Sequence, residues 1–116
     1  MTTITTITTI TTASKLADYY IWFANDVGSY LSNHKLQKLL FYAQAWYLAF
    51  EGTPLFDEDF EAWVHGPTIP ALFYEYKEQF GFKPILKEVK KPEFPEAVQE
   101  FLDDLSGDYL FRDAYE

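Results

Sequence analysis

Two histidines and a run of acidic residues are the side chains in this sequence whose types could support catalysis or hold a metal ion. His65 precedes a Gly-Pro turn in the segment Trp63–Pro70 (WVHGPTIP), and His34 stands near the start of a long apolar stretch. A single imidazole beside such a turn more often satisfies a backbone carbonyl than transfers a proton. We therefore assign His65 a structural role and place His34 in the first turn of a helix.

The acidic run Asp57–Glu61 brings together oxygen ligands that a divalent cation prefers. The acid and glycine spacing of an EF-hand is missing, so we expect a hydrated loop, with a cation site as the alternative. A Ser–His–Asp site would combine His34 with Ser29 or Ser32, and nothing in their spacing selects that triple. Common motifs for nucleotide binding, acyl transfer and zinc proteolysis are also missing. We predict a protein that is not an enzyme, without catalytic residue, metal or cofactor.

Composition narrows the class of partner. The 116 residues suffice for one domain, and aromatic residues make up 20% of them, which argues against intrinsic disorder. An excess of 18 acidic over 9 basic side chains gives a net charge of -9, which opposes binding to nucleic acid or an anionic membrane. The chain has no cysteine and no apolar run of about 18 residues, so we expect a cytoplasmic protein.

Charge is unevenly distributed along the chain. Residues 92–116 carry eight acids and one base, whereas the preceding segment 83–91 carries four of the nine basic residues. Such clusters are typical of a solvated surface, and a docking face for a basic partner is the alternative.

The N-terminal residues repeat Thr-Thr-Ile with a period of three, which matches neither a strand nor a buried helix face. We expect residues 1–13 to form a low-complexity, disordered tail, with an added edge strand as the alternative. A first helix follows over about 15–31, with Ser14 as its N-cap. The side chains that we expect on its buried face are Leu16, Tyr19, Tyr20, Phe23, Val27, Tyr30 and Leu31.

A second helix is predicted over about 34–51. It starts after Ser32 or Asn33 and ends at Gly52, which can adopt a left-handed conformation. Its apolar side chains cover most of the circumference, and a helix of that kind is usually buried on most sides. We therefore expect it to be the central helix, with its stripe formed by Leu36, Leu39, Leu40, Ala43, Trp46, Tyr47 and Phe50 and with Leu48 among the residues that cover the rest.

The next segments are shorter. Alternating polarity predicts a strand over about 60–64, after which two prolines should end regular pairing. Thr68 or Ile69 opens a third helix that has Pro70 in its first turn and stops at Gly81.

An extended segment (FKPILKEVKK) and a fourth amphipathic helix complete the pattern. The fourth helix runs from Pro95 and is terminated by Ser106 and Gly107. These elements predict a mainly α fold: a compact bundle of about four helices around a buried central helix, with a short strand or hairpin element and a Gly-Pro-x-x-Pro turn.

Two stretches carry more specific patterns. The stretch 35–56 combines Lys-Leu-x-Lys-Leu-Leu with Gly-x-Pro-Leu at Lys35, Leu36, Lys38, Leu39, Leu40, Tyr42, Gly52, Pro54 and Leu55. The stretch 60–81 carries Glu-Ala-x-x-x-Gly-Pro-x-x-Pro-x-Leu-Tyr, with matches at Glu61, Ala62, Gly66, Pro67, Pro70, Leu72 and Tyr74. Together they resemble the Panacea domain, a SocA-like family of small bacterial and phage-associated proteins.

The resemblance implies a function. Members of this family act as antitoxins that bind and neutralise toxins encoded beside them, among them RelA-like alarmone synthetases, and one branch delivers its toxin to a protease. By this resemblance we expect residues 14–116 to form one Panacea-like domain that neutralises a cognate protein toxin. A protease adaptor or a phage-encoded inhibitor on the same scaffold is the alternative.

Family members commonly continue into a further helix and a Thr-His-x-x-x-Pro-Trp-like ending, which this sequence does not contain before Glu116. A natural short form, a truncated chain and a diverged member are the alternatives that this difference leaves.

Nine positions are candidates for partner contacts or for the frame that supports them. The lysines and aromatic residues are the candidate contacts, and the glycine and prolines are the rigid frame. The nine are Lys35, Lys38, Tyr42, Trp63, His65, Gly66, Pro67, Pro70 and Tyr74.

Overall fold

A computed structural model describes residues 10–105, which form four helices and one two-stranded antiparallel sheet. This part of the chain is mainly helical, as the sequence predicts. None of the helices within it is long and apolar enough to cross a membrane. Residues 1–9 of the predicted tail and the predicted end of the fourth helix at Ser106 and Gly107 lie outside the described residues. The elements are α1 (Ala13–Asp26), α2 (Asn33–Glu51), β1 (Glu61–Trp63), β2 (Gly66–Thr68), α3 (Pro70–Phe80) and α4 (Glu96–Leu105).

The central helix is α2, which contacts α1, β2, α3 and α4. It begins after Ser32, whose Oγ accepts a hydrogen bond from the Lys35 amide at 3.2 Å, and it ends at Gly52, where φ is 76°. Both boundaries agree with the capping residues in the sequence. Its fully buried apolar residues are Leu36, Leu39, Leu40 and Ala43.

The C-terminal turns of α2 are less buried than predicted. Trp46 is 39% exposed, Leu48 is 47% exposed and Phe50 is 67% exposed, although the apolar pattern placed them in contact with the core. α4 covers one side of this end, where the rings of Tyr47 and Phe101 lie 5.2 Å apart. Other sides of these turns remain open to solvent, so the expectation that α2 is buried on most sides is wrong for its C-terminal turns.

The first helix is shorter than predicted, and it begins and ends earlier in the sequence. Thr12, rather than Ser14, is the N-cap, and its side chain accepts a hydrogen bond from the Lys15 amide at 3.1 Å. The helix ends at Asp26, and the chain then turns through Gly28 at φ 70°. Val27 and Tyr30 are consequently exposed rather than on the buried face.

Residues 10–13, which we placed in the tail, contact the loop that follows α2. The amides of Ile10 and Thr11 both donate to the Leu55 carbonyl, at 3.1 and 3.0 Å. The Ala13 amide donates to Glu58 Oε2 at 3.0 Å. Gln44 orders the same loop, because its Oε1 accepts from the Leu55 amide at 2.8 Å while its Nε2 donates to a carbonyl one residue further on, that of Phe56, at 2.8 Å.

The segment between α3 and α4, which we predicted to be extended, has no regular secondary structure and contacts α1 and the residues that follow it. The Ile85 amide donates to the Leu31 carbonyl at 2.7 Å, and Asn25 Nδ2 donates to the Lys87 carbonyl at 2.9 Å. A half-exposed ion pair joins Lys87 to Asp18 at 3.3 Å. These contacts hold the segment against the helical core.

The predicted strand is part of a hairpin. β1 pairs antiparallel with β2, and Ala62 lies opposite Pro67. The expectation that Pro67 ends regular pairing is therefore wrong. Each strand of a two-stranded sheet has one free edge, and a proline is tolerated there because no further strand needs its amide hydrogen. Gly66, the first residue of β2, adopts φ 121°, a conformation that glycine allows.

Candidate functional site

The family motifs meet where the hairpin packs on the N-terminal half of α2. Lys38 and Tyr42 from α2 and His65, Gly66 and Pro67 from the hairpin line a cavity of about 120 Å³, together with His34, Gln37 and Phe41. Small-molecule sites are usually about 300 Å³ or larger, so this cavity is suited to one side chain of a partner rather than to a cofactor. We call the surface around it, formed by His34, Lys38, Tyr42, Trp63, Val64, His65, Pro67 and Tyr74, the hairpin face.

The two histidines, 31 positions apart in the sequence, touch in the hairpin face. Their ring centroids are 4.1 Å apart, and the rings are at 61° to each other. Partial burial lowers the pKa of His34, and the nearby positive charge of protonated His65 lowers it further. The state in which His34 and His65 are both protonated is therefore disfavoured.

His65 does not have the role that we assigned to it. Within residues 10–105 it makes no hydrogen bond to a backbone carbonyl, and its contacts are with rings. It stacks on Phe73 of α3 at 5.7 Å and 24°, and it lies 5.7 Å from Trp63. The turn does not enclose the imidazole of His65, which stays exposed to solvent. The ring is therefore not needed as a hydrogen-bond donor to a backbone carbonyl of the turn.

Aromatic rings from the hairpin and α3 extend the hairpin face. Trp63 packs edge to face on Phe73 at 5.1 Å and against Tyr74 at 5.7 Å, and its Nε1 donates to Glu61 Oε1 at 2.9 Å. Tyr74 is 56% exposed, and Val64 at the turn is fully exposed. Buried rings thus support a surface that presents apolar and aromatic groups to solvent.

Two of the nine candidate positions lie beside this face rather than in it. Lys35 is half-buried in the first turn of α2, where its amide is bonded to the Ser32 side chain. Pro70 is the first residue of α3 and is half-buried. The other seven positions are brought together around the cavity and the adjoining ring cluster.

Sequence reasoning missed the buried amides that orient this face. Asn33 Nδ2 donates to the Phe73 carbonyl at 2.8 Å, and Gln37 Oε1 accepts from the Ile69 amide at 2.8 Å. Ile69, the N-cap of α3, has no side-chain cap of its own. The available signal was their spacing: Asn33 and Gln37 stand four residues apart beside Leu36 on the buried side of α2.

The acidic run does not gather into a metal site. Glu58 accepts the Ala13 amide, while Asp57, Asp59 and Glu61 are exposed. Among residues 10–105 no group of three or more histidine, aspartate or glutamate side chains is arranged to hold a metal ion. The alternative of a cation site therefore gains no support.

Comparison with known families matches residues 36–109 to the family described as Antitoxin SocA-like, Panacea domain. This chain belongs to that family. The resemblance that the motifs indicated is confirmed, and the matched Panacea domain contains all of α3 and α4 and every residue of the hairpin face except His34.

A curated relative shares part of this domain. Antitoxin SocA of Caulobacter vibrioides (strain NA1000 / CB15N) is 44% identical over 43 residues. The alignment covers 37% of this chain and 23% of the relative, so the match spans less than a quarter of that protein's length. No solved structure matches the chain.

Proposed function

We propose that this chain is an antitoxin that neutralises a protein toxin by direct binding, and that the toxin docks on the hairpin face. The observation that carries the proposal is that separate Panacea motifs, on α2 and on the hairpin with α3, converge on one exposed surface. Family membership supports the antitoxin role, and the relative is named as an antitoxin.

The chemistry of the hairpin face supports docking of a protein. Exposed Val64 and Tyr74 flank half-buried Trp63, and hot spots of protein interfaces are enriched in tyrosine and tryptophan. Lys38 supplies an exposed positive charge at the cavity rim. A toxin would insert one side chain beside the histidine pair and cover the surrounding rings.

Growth assays test the function. The neighbouring gene is induced alone and then with this protein, and we expect toxicity that disappears on co-expression. A harmless neighbour would contradict the proposal and favour the protease adaptor or phage-encoded inhibitor. A RelA-like toxin, a cytoplasmic location and the lack of enzymatic activity stay predictions from the sequence.

Two substitutions test the docking surface. Val64→Asp puts a charge at the tip of the hairpin face, whereas Phe82→Asp puts the same charge at another exposed apolar position, beyond α3. We expect the first to weaken toxin binding by calorimetry at least about tenfold and to lose rescue of growth. The second should match the unmodified protein. Equal effects of the two substitutions would contradict docking on the hairpin face.

A further inference from the structure

An open groove of about 690 Å³ runs between the end of α2 and α4. One wall is the last turn of α2, with Phe50 and Glu51. The other wall is a single stripe of α4, whose residues recur at intervals of three and four: Ala97, Glu100, Phe101, Asp104 and Leu105. At 1.5 Å per residue this stripe is about 12 Å long, so the groove follows α4 over more than two turns.

The lining of this α2–α4 groove is aromatic and open. Phe50 is 67% exposed and stacks on Trp46 at 5.4 Å and 22°. Phe101 is half-buried and packs edge to face on Tyr47 at 5.2 Å. An exposed stacked pair beside a third, half-covered ring is the type of apolar surface that marks an interaction site.

The rim of the groove is acidic. Glu51, Glu100 and Asp104 are exposed, and none of them belongs to the ion pair between Lys87 and Asp18. Burial raises the pKa of Tyr47, and the charge of Glu51, four residues further along α2, raises it further.

We propose that the α2–α4 groove binds a basic amphipathic helix of a partner protein. The helix would lie along α4, place an apolar side chain between Phe50 and Phe101, and set lysine or arginine against Glu51, Glu100 and Asp104. Amphipathic helices bind apolar grooves in this way, with charged flanks that complement the rim. The proposal concerns a second surface and does not depend on docking at the hairpin face.

Charge favours a basic helix over two other occupants of the α2–α4 groove, which are a second copy of the chain and residues 106–116 of the same chain. A second copy of the chain would bring a net charge of -9 to an acidic rim. Residues 106–116 of the same chain carry three acids, at positions 108, 113 and 116, against one arginine. Neither supplies the excess of positive charge that the rim would attract.

A designed peptide tests the proposal on the full chain. The probe is a fluorescein-labelled peptide of about 14 residues with leucine on one helical face and lysine on the other, and its control has glutamate for every lysine. Fluorescence anisotropy should show at least about tenfold tighter binding of the lysine peptide, with weaker binding at about 300 mM than at about 50 mM salt.

Matched variants locate the binding. Phe50→Ala and Glu100→Lys should each weaken binding of the lysine peptide at least about fivefold. Phe82→Ala and Glu78→Lys make the same changes at exposed positions outside the groove and should stay within about twofold. All four positions are exposed, so melting temperatures should be unchanged.

Several results would overturn the proposal. Equal losses for Glu100→Lys and Glu78→Lys would mean that the peptide responds only to net charge. Unchanged binding for Phe50→Ala would exclude the groove. Nuclear Overhauser contacts between Phe50 and residues 106–116 in the free protein would make the chain's own segment the occupant, and a dimer abolished by Phe50→Ala would make it a second copy.

Discussion

Gln37 Oε1 accepts a 2.8 Å hydrogen bond from the backbone amide of Ile69, 32 residues further along the chain. In a capping box this amide would be bonded by the third residue of its own helix. Here a side chain of α2 takes that role for α3, and Gln37 is only 2% exposed. The same glutamine donates to Asn33 Oδ1 at 3.4 Å, and Asn33 bonds the Phe73 carbonyl. Two buried amides therefore set the orientation of α3 and the hairpin on α2.

Gln37→Ala should lower the free energy of unfolding by about 1–3 kcal/mol, because the buried Ile69 amide would lose its acceptor. Urea denaturation followed by circular dichroism measures the change. Gln79→Ala, at an exposed position of α3, is the control and should stay within about 0.5 kcal/mol. If both variants unfold at the same urea concentration, the hydrogen bond is not made in solution.

Gly66→Val should destabilise the chain by about 1–3 kcal/mol, because φ at this glycine is 121° and a β-branched residue disfavours that conformation. No heavy atom lies within 4 Å of an added Cβ, so the cost comes from the backbone rather than from a clash. Thermal melting measures it. Ala62→Val, on the paired strand, is the control, since strands accept valine. A normal melting temperature for Gly66→Val would mean that the turn adopts another conformation.

Acid should destabilise the hairpin face through His34. Its pKa in the folded chain lies below the ordinary value of 6.5, so the folded state binds fewer protons than the unfolded state as the pH falls below that value. The contribution of His34 to stability is therefore fully present above pH 6.5. It decreases as the pH falls from 6.5 to the lowered pKa, and it changes no further at lower pH. Denaturation midpoints at pH 8, 7, 6 and 5 should show this decrease.

Substitution of His65 separates the two causes of the lowered pKa of His34, which are partial burial and the charge of His65. His65→Gln removes the positive charge beside His34, and the pKa of His34, measured by proton NMR titration, should rise towards 6.5. An unchanged titration in His65→Gln would mean that the rings do not lie side by side in solution.

Tyr76→Phe should leave stability unchanged or raise it by roughly 1 kcal/mol. Tyr76 is fully buried in the core, and its hydroxyl has no hydrogen-bond partner among the described residues. Burial, with the charges of Asp18 and Glu75, raises the pKa of this phenol, so the group stays neutral. Tyr30→Phe, at an exposed position, is the control. A loss of more than about 1 kcal/mol for Tyr76→Phe would show that the hydroxyl has a partner in solution.

Local signals predicted α2 and α3 well because their boundaries depend on nearby residues. Ser32 caps α2, Pro70 opens α3, and Gly52 and Gly81 end the two helices at positive φ. The start of α1 was predicted wrongly at Ser14, because Thr12, a residue type that also caps helices, was assigned to the tail. Contacts of residues 10–13 with Leu55 and Glu58 favour the earlier start, and those contacts are tertiary.

The candidate site was predicted in its parts but not in its arrangement. The motifs pointed to Lys38, Tyr42, His65 and Gly66, which line one cavity. The contact between His34 and His65 depends on how the hairpin folds back on α2, and no local pattern contains that information. The exposed end of α2 was missed for a related reason: apolar periodicity measures how much surface can be buried, not whether a neighbouring element is present to bury it.

α2 also fixes a distance. His34 and Lys38 of the hairpin face stand near its first turn, and Phe50 of the α2–α4 groove stands near its last. At 1.5 Å per residue, the 16 steps from His34 to Phe50 correspond to about 24 Å along one continuous helix. The helix is thus a spacer of set length: two ligands narrower than this can occupy both surfaces at once, whereas a single ligand must be at least this long to bridge them.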